Sequence, residues 1–198
     1  MVSEELYVDV LREASSVGAS HAAGAISTMV NRRVRIEAPN TSLKAIDRVS
    51  DILGEARVVT EVVTDARRNA DKTPSYLFLL LSERETLRLL SLVLDKSVET
   101  VTEFERSVLL EIGNIVTCSF VGALANLVGS TIKPGVPHIR MNKLLSLLAE
   151  TLAQCASFTD RVWLSSIRFF IEGGEAHGYI LFVPSFDIVA EILRAKER

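Results

Sequence analysis

Glu111 and Asn114 stand one helical turn apart in a segment whose apolar residues recur with helical spacing. On a helix that turns about 100° per residue, four side chains form one narrow stripe at about 0°, 40°, 340° and 20°: Ser107, Glu111, Asn114 and Cys118. The apolar side chains point within about 40° of the opposite direction; they are Leu109, Ile112, Val116, Phe120, Ala123 and Leu127. The pattern predicts a helix with a buried back and an outward carboxylate and carboxamide.

This pair of side chains suits phosphoryl chemistry on an activated group. Hydrolysis of an acyl phosphate needs little beyond a water molecule held in line with phosphorus. The Asn114 oxygen can accept from that water while its NH₂ donates to a phosphoryl oxygen. Glu111 would be repelled by the phosphoryl group but would suit a lysine of a partner. Most Glu-x-x-Asn pairs are merely solvated, so the spacing alone leaves that alternative open.

An internal repeat makes the chemical interpretation stronger. Positions in the first half match positions in the second at a constant offset of about 98; the pairs are Asp9–Ser107, Glu13–Glu111, Ser16–Asn114, Gly24–Gly122, Ala25–Ala123, Val30–Val128 and Pro39–Pro137. Solvation alone would not require Glu, Gly and Pro to recur at the same relative places. We therefore predict one domain over residues 1–198, made of two homologous halves, about 1–98 and 99–198.

Each half shows the same order of elements, which predicts an α+β fold: an antiparallel sheet with long helices packed on it, related by a pseudo-twofold. The first half is predicted as a helix at 4–31, an extended segment at 33–38, a helix at 42–53, strands at 57–64 and 76–81, and a helix at 83–94. The second half is predicted as the same series at 102–128, 131–139, 141–156, 162–171, 178–183 and 186–195. Gly173-Gly174 is expected to form the turn of the second hairpin.

Composition excludes several classes of protein. The net charge of −3, with dispersed Lys and Arg, offers no basic patch for nucleic acid or an anionic membrane. The apolar stretch 112–132 contains several polar residues and glycines, so a buried helix is expected rather than a membrane span. Cys118 and Cys155 lack disulfide or redox-motif spacing and the start lacks an export signal, which favours the cytoplasm. His21, His138 and His177 are scattered, so no metal site is expected.

The motif Ser107-x3-Glu111-x2-Asn114-x22-Pro137 resembles the signature of the CheC, CheX and FliY phosphatases of bacterial and archaeal chemotaxis. The resemblance implies that the chain hydrolyses the aspartyl phosphate of CheY. Asn114 would position the water, Glu111 would meet a CheY lysine, and Ser107 and Pro137 would support them. The Mg²⁺ would be supplied by phosphorylated CheY, with no cofactor bound by this chain.

The first half departs from this motif, because Asp9-x3-Glu13-x2-Ser16-x22-Pro39 has serine where the family has asparagine. A hydroxyl on a short stem lacks the paired donor and acceptor of an amide, so we predict one active site and a degenerate first site. The resemblance also makes CheD a possible partner through helix 141–156, although Asn142 stands where the family commonly has an acid. The alternative function is a non-catalytic adaptor that binds CheY or CheD.

Overall fold

The computed structural model describes residues 2–45, 48–49, 59–68, 74–142 and 161–195. The first half contains α1 (Val2–Val30), β1 (Val34–Glu37), β2 (Thr41–Ala45), β3 (Val59–Arg67), β4 (Ser75–Ser82) and α2 (Glu83–Leu94). The second half contains α3 (Glu103–Val128), β5 (Lys133–Pro134), β6 (His138–Asn142), β7 (Arg161–Ile171), β8 (Gly174–Val183) and α4 (Phe186–Ala195). The predicted α+β class is confirmed, and α2 and α4 have the predicted bounds.

All eight strands belong to one antiparallel sheet. Its main path runs β1-β7-β8-β4-β3-β5, while β2 also pairs with β7 and β6 also pairs with β3. The hairpins β3–β4 and β7–β8 meet at the centre, where Leu79 of β4 is opposite Ile180 of β8. Exchanging the two halves, strand for strand, reproduces the same set of pairings. An internal duplication would produce this topology, although the pseudo-twofold itself stays a prediction.

The helices cover one face of the sheet through a continuous apolar core. Phe120 of α3 stacks on Trp163 of β7, with ring centroids 5.2 Å apart, and contacts Phe182 of β8 at 5.4 Å. Helix α1 crosses α3 closely, because a Cβ added at Gly18 would lie 2.9 Å from the Phe120 Cα. The sheet and α1 therefore hold α3 from two directions.

The predicted helix at 42–53 is wrong in its first residues. Ser42 to Ala45 belong to β2, which pairs with β7 from Thr41↔Ser165 to Ala45↔Arg161. Backbone groups at the open side of β7 offer a full ladder of hydrogen bonds, which outweighs a weak helical pattern. The rest of the predicted helix, apart from residues 48–49, lies outside the described residues.

The predicted helix at 141–156 also begins wrongly. Met141 and Asn142 end β6, which pairs with β3 up to Val59↔Asn142. The pairing continues past the position where local spacing placed a helix, and residues 143–156 lie outside the described residues.

The second hairpin turn is shifted by one residue from the predicted Gly173-Gly174. Ile171 pairs with Gly174, and Gly173 adopts a φ of 99°, a conformation that favours glycine.

Helix α3 is long and apolar enough to cross a membrane by length and composition alone. Its apolar back instead contacts α1, β3 and the aromatic residues of β7 and β8. The core helix of a globular fold passes the same compositional test. Helix α3 is therefore a core helix of this fold, as the polar residues within it predicted.

Candidate functional site

The first turn of α3 is fixed by a capping box. The Glu105 carboxylate accepts from the Thr102 backbone N–H at 3.3 Å and also from the Thr102 hydroxyl. Lys96 donates to the same carboxylate at 3.2 Å. The hydrogen bond from the Thr102 side chain, followed by the one from Lys96, holds the pKa of Glu105 at about 2. Glu105 thus remains ionised at the positive end of the helix dipole.

The two predicted faces of α3 are present in the structure. On the predicted back, Leu109, Ile112, Val116, Phe120 and Ala123 are buried, while Leu127 is partly buried. On the predicted stripe, Ser107 and Glu111 are exposed, and Asn114 and Cys118 are half-buried. Helical periodicity correctly assigned these faces because α3 is regular along its whole length.

Two residues that the sequence analysis did not select set the height of α3 above the sheet. A Cβ added at Gly113 would lie 2.4 Å from Val62 Cγ1 of β3, so only glycine fits at this contact. The Thr117 hydroxyl lies 3.1 Å from the Thr64 hydroxyl of β3. Gly113 directly precedes Asn114, so this contact fixes the backbone beside the carboxamide. In the sequence, the signal for this close contact was a glycine within an otherwise regular helical pattern.

The Asn114 side chain has one described partner. The Cys118 thiol donates to Asn114 Oδ1, with Sγ and Oδ1 3.2 Å apart. Burial, followed by the nearby charge of Glu111, raises the pKa of the Cys118 thiol, which keeps it protonated and able to donate. Within the described part of the chain, the Asn114 NH₂ donates to no other residue. It is available to a ligand from outside.

The Glu111 carboxylate is exposed and forms no ion pair with any described Lys or Arg. Several other described acids are paired instead; Glu37 and Glu61, for example, pair with Arg168 and Arg140. An exposed carboxylate one turn from a carboxamide can receive a cation from a docking protein.

Ser107 and Pro137 are the two motif residues that were predicted to support the pair. The Ser107 hydroxyl donates to the Glu103 carbonyl at 2.9 Å, one turn earlier, so it serves its own helix. Pro137 precedes β6 and is half-buried. Arg106 Nη2 donates to the Ile139 carbonyl at 3.0 Å, which ties the start of β6 to the first turns of α3.

The residues of the predicted degenerate first site lie on α1 and in the connection after β1. Glu13 and Ser16 are exposed, and the Asp9 carboxylate accepts from Arg12 at 2.8 Å. Pro39 lies between β1 and β2, as Pro137 lies between β5 and β6. The structure therefore keeps the two motif segments in matching elements, while the side chains differ at Ser16 and Asn114.

Neither Glu111 nor Asn114 lines the cavity that the described residues form at β7 and β8. That cavity, of about 320 Å³, is formed by β7, β8 and the segment at Pro39 and Asn40, and α3 contributes nothing to it. Among the described residues, no cluster of three or more His, Cys, Asp or Glu side chains is placed to hold a metal ion. The pair lies on the outer face of α3, where Glu111 is exposed and Asn114 is half-buried, so the surface of another macromolecule can reach it.

Sequence comparisons point to one family. Residues 104–140, which contain Ser107, Glu111, Asn114 and Pro137, match the model of the CheC-like family. Over 190 residues the chain is 26% identical to the CheY-P phosphatase CheC of Bacillus subtilis, covering 93% of this chain and 90% of that protein.

Solved structures share the fold. The crystal structure of Thermotoga maritima FliY superposes with a TM-score of 0.67 at 19% identity, covering 100% of this chain and 98% of the chain in that structure. The FliM middle domain of Vibrio alginolyticus superposes with a TM-score of 0.64 at 14% identity, covering 94% of this chain and 99% of that chain. Motif, full-length sequence similarity and fold together confirm the resemblance of this chain to the CheC-like family of chemotaxis proteins.

Proposed function

We propose that this chain is a phosphatase that hydrolyses the aspartyl phosphate of the response regulator CheY. The observation that carries the proposal is the outward pair on α3. No described Lys or Arg pairs with the Glu111 carboxylate, and the Asn114 NH₂, one turn later, donates to no described residue. The pair lies in the segment that matches the CheC-like family. The similarity to a CheY-P phosphatase supports the choice of substrate.

Asn114 would act by orienting water. Its Oδ1 has a second lone pair beside the one that accepts from Cys118, so it can also accept from the attacking water. The NH₂ donates to a phosphoryl oxygen and holds phosphorus in line. The water oxygen bonds to phosphorus as the acyl P–O bond breaks, the aspartate leaves as a carboxylate, and the water proton passes to the phosphate product. Because the transition state is loose, no titrating base is required.

Glu111 would fix the register of docking rather than take part in bond cleavage. Its negative charge is repelled by the phosphoryl oxygens, but a lysine beside the phosphorylated aspartate would form a charge-assisted hydrogen bond with it. The Mg²⁺ that neutralises phosphoryl charge would come with CheY. The same proposal places the protein in the cytoplasm, where Cys118 stays reduced.

The first half would bind without turning over phosphate. Glu13 and Ser16 keep the exposed position of the pair on α1, but a serine hydroxyl cannot hold water and a phosphoryl oxygen with the geometry of an amide. CheD stays a prediction from the family resemblance. Its expected contact segment begins in β6 and otherwise lies outside the described residues.

The decisive experiment follows the decay of phosphorylated CheY with and without this chain. We expect the wild type to accelerate decay at substoichiometric amounts, and Asn114→Ala to lower kcat by about 100-fold or more. Ser119→Ala, a substitution on the same helix, is the control and should keep wild-type turnover. An adaptor without activity would bind phosphorylated CheY and leave its decay unchanged even at equimolar protein, which would refute the phosphatase.

A further inference from the structure

Phe104 is a large aromatic side chain left in solvent beside the α3 stripe. It is 59% exposed, whereas the other large apolar side chains of α3 are partly or fully buried. Phe104 precedes Ser107 by three residues and Glu111 by seven. It therefore lies on the same side of the helix, at about 60° when Ser107 is placed at 0°. The ring therefore extends the surface of the candidate site toward the start of α3.

The ring is held in place before any partner arrives. Lys96 Nζ lies 5.5 Å from the ring centroid, and Lys96 is itself anchored to Glu105 of the capping box. Ordering a side chain before binding reduces the entropy that association costs. Phe104 has the properties of an interface anchor: aromatic, exposed and fixed.

A second exposed apolar residue lies on the other side of the stripe. Val136, beside the motif residue Pro137, is 74% exposed. Arg106 holds its segment against α3 through the Ile139 carbonyl, and Arg106 falls about 100° from Ser107 in the direction opposite to Phe104. Phe104 and Val136 thus form an apolar rim on the two sides of the stripe near the start of α3, and apolar residues around a polar contact exclude water from it.

We propose that Phe104, with Val136, anchors the folded receiver domain that carries the aspartyl phosphate. The proposal rests on the proposed function, because the rim is continuous with Glu111 and Asn114, which would contact that domain. Charge supports the same occupant. Glu103 and Glu111 are exposed on this surface without a described cation, which complements a basic partner surface next to the docking lysine.

The test separates affinity from chemistry. In steady-state hydrolysis of phosphorylated CheY, Phe104→Ala should raise KM about tenfold, typical of a lost aromatic anchor, and leave kcat within about twofold. The matched control is Phe186→Ala, which removes an aromatic of similar exposure, 67%, from the start of α4. It should change neither constant. Phe104→Leu should recover most of the affinity, because the contact is apolar.

Failure of the anchor and failure of the phosphatase give different results. An unchanged KM for Phe104→Ala, with Asn114→Ala inactive, would overturn the anchor and leave the phosphatase standing. If Asn114→Ala kept full turnover, the proposed catalytic site would be wrong. The anchor would then be tested by titrating phosphorylated CheY onto Asn114→Ala and Asn114→Ala/Phe104→Ala. A weaker affinity of the double variant would support the anchor, and equal affinities would overturn it. A change in self-association of Phe104→Ala in sedimentation would show that a second copy covers the ring and would overturn the proposal.

Discussion

The Cys118 thiol donates to Asn114 Oδ1 across 3.2 Å, one turn further along α3. The thiol occupies one lone pair of the oxygen that we propose holds water, and it directs the NH₂ away from Cys118. The raised pKa of Cys118, due first to burial and then to Glu111, keeps the sulfur a donor at neutral pH. Orientation of the carboxamide is thus coupled to a residue outside the family motif.

Removing the thiol should loosen the carboxamide. We expect Cys118→Ala to lower kcat for phosphorylated CheY by about 2- to 10-fold, the value of one hydrogen bond, with KM unchanged. Cys118→Ser retains a donor and should stay closer to wild type. Stopped-flow decay of phosphorylated CheY measures both. Equal kcat for wild type and Cys118→Ala would show that the bond does not orient Asn114.

Neutralising Glu111 should weaken docking more than chemistry. We expect Glu111→Gln to raise KM about tenfold, and Glu111→Lys to raise it further because it would repel the partner lysine. Added salt should raise the wild-type KM and affect Glu111→Gln less. Glu83→Gln, an exposed acid in the first turn of α2, is the matched control. A salt dependence identical in wild type and Glu111→Gln would contradict the docking role.

Restoring the amide to α1 should test the degenerate first site. In the inactive Asn114→Ala background, we expect Ser16→Asn to recover measurable hydrolysis of phosphorylated CheY, because Glu13 and Pro39 already occupy the remaining motif positions. Ser20→Asn, at another exposed position of α1, should recover none. Recovery by both variants, or by neither, would mean that the repeat does not preserve a second docking geometry.

Two glycines of α3 should respond to alanine in opposite ways. Gly113→Ala forces a methyl group into Val62 and should lower the free energy of unfolding by about 1–3 kcal/mol. It should also lower turnover by shifting Asn114. Gly122→Ala enters open space and should raise the free energy of unfolding by about 0.5–1 kcal/mol. Urea unfolding followed by circular dichroism compares them, and equal effects would refute the close contact on β3.

The capping box should give a pH dependence of stability below neutrality. The pKa of Glu105 is lowered from 4.5 to about 2 in the folded chain, so its contribution is fully present above about 4.5 and is lost as pH falls through about 2. Glu105→Gln should be less stable than wild type at pH 7, and the difference should shrink across that window. Urea midpoints at pH 7, 4 and 2.5 measure it. A constant difference would argue against the lowered pKa.

Local periodicity accounts for what could be predicted of the site and much of the fold. The stripe of Ser107, Glu111 and Asn114, the buried back of α3, and the bounds of α2 and α4 follow from a 3.6-residue repeat that depends only on neighbours along the chain. The motif positions at Pro39 and Pro137 fell into matching connections for the same reason, because each half repeats its local pattern.

The remaining features depend on contacts between residues distant in sequence. Ser42–Ala45 and Met141–Asn142 are strands because β7 and β3 offer pairing partners more than 80 residues away in each case, and this pairing overrides weak local preference. The place of Val136 beside α3 likewise depends on the hydrogen bond from Arg106 to Ile139. The sequence by itself determined which side chains share a helical face, since helix geometry is local. Only the tertiary structure decided how closely Gly113 approaches Val62 and how Asn114 is held, since those distances depend on where the sheet places α3.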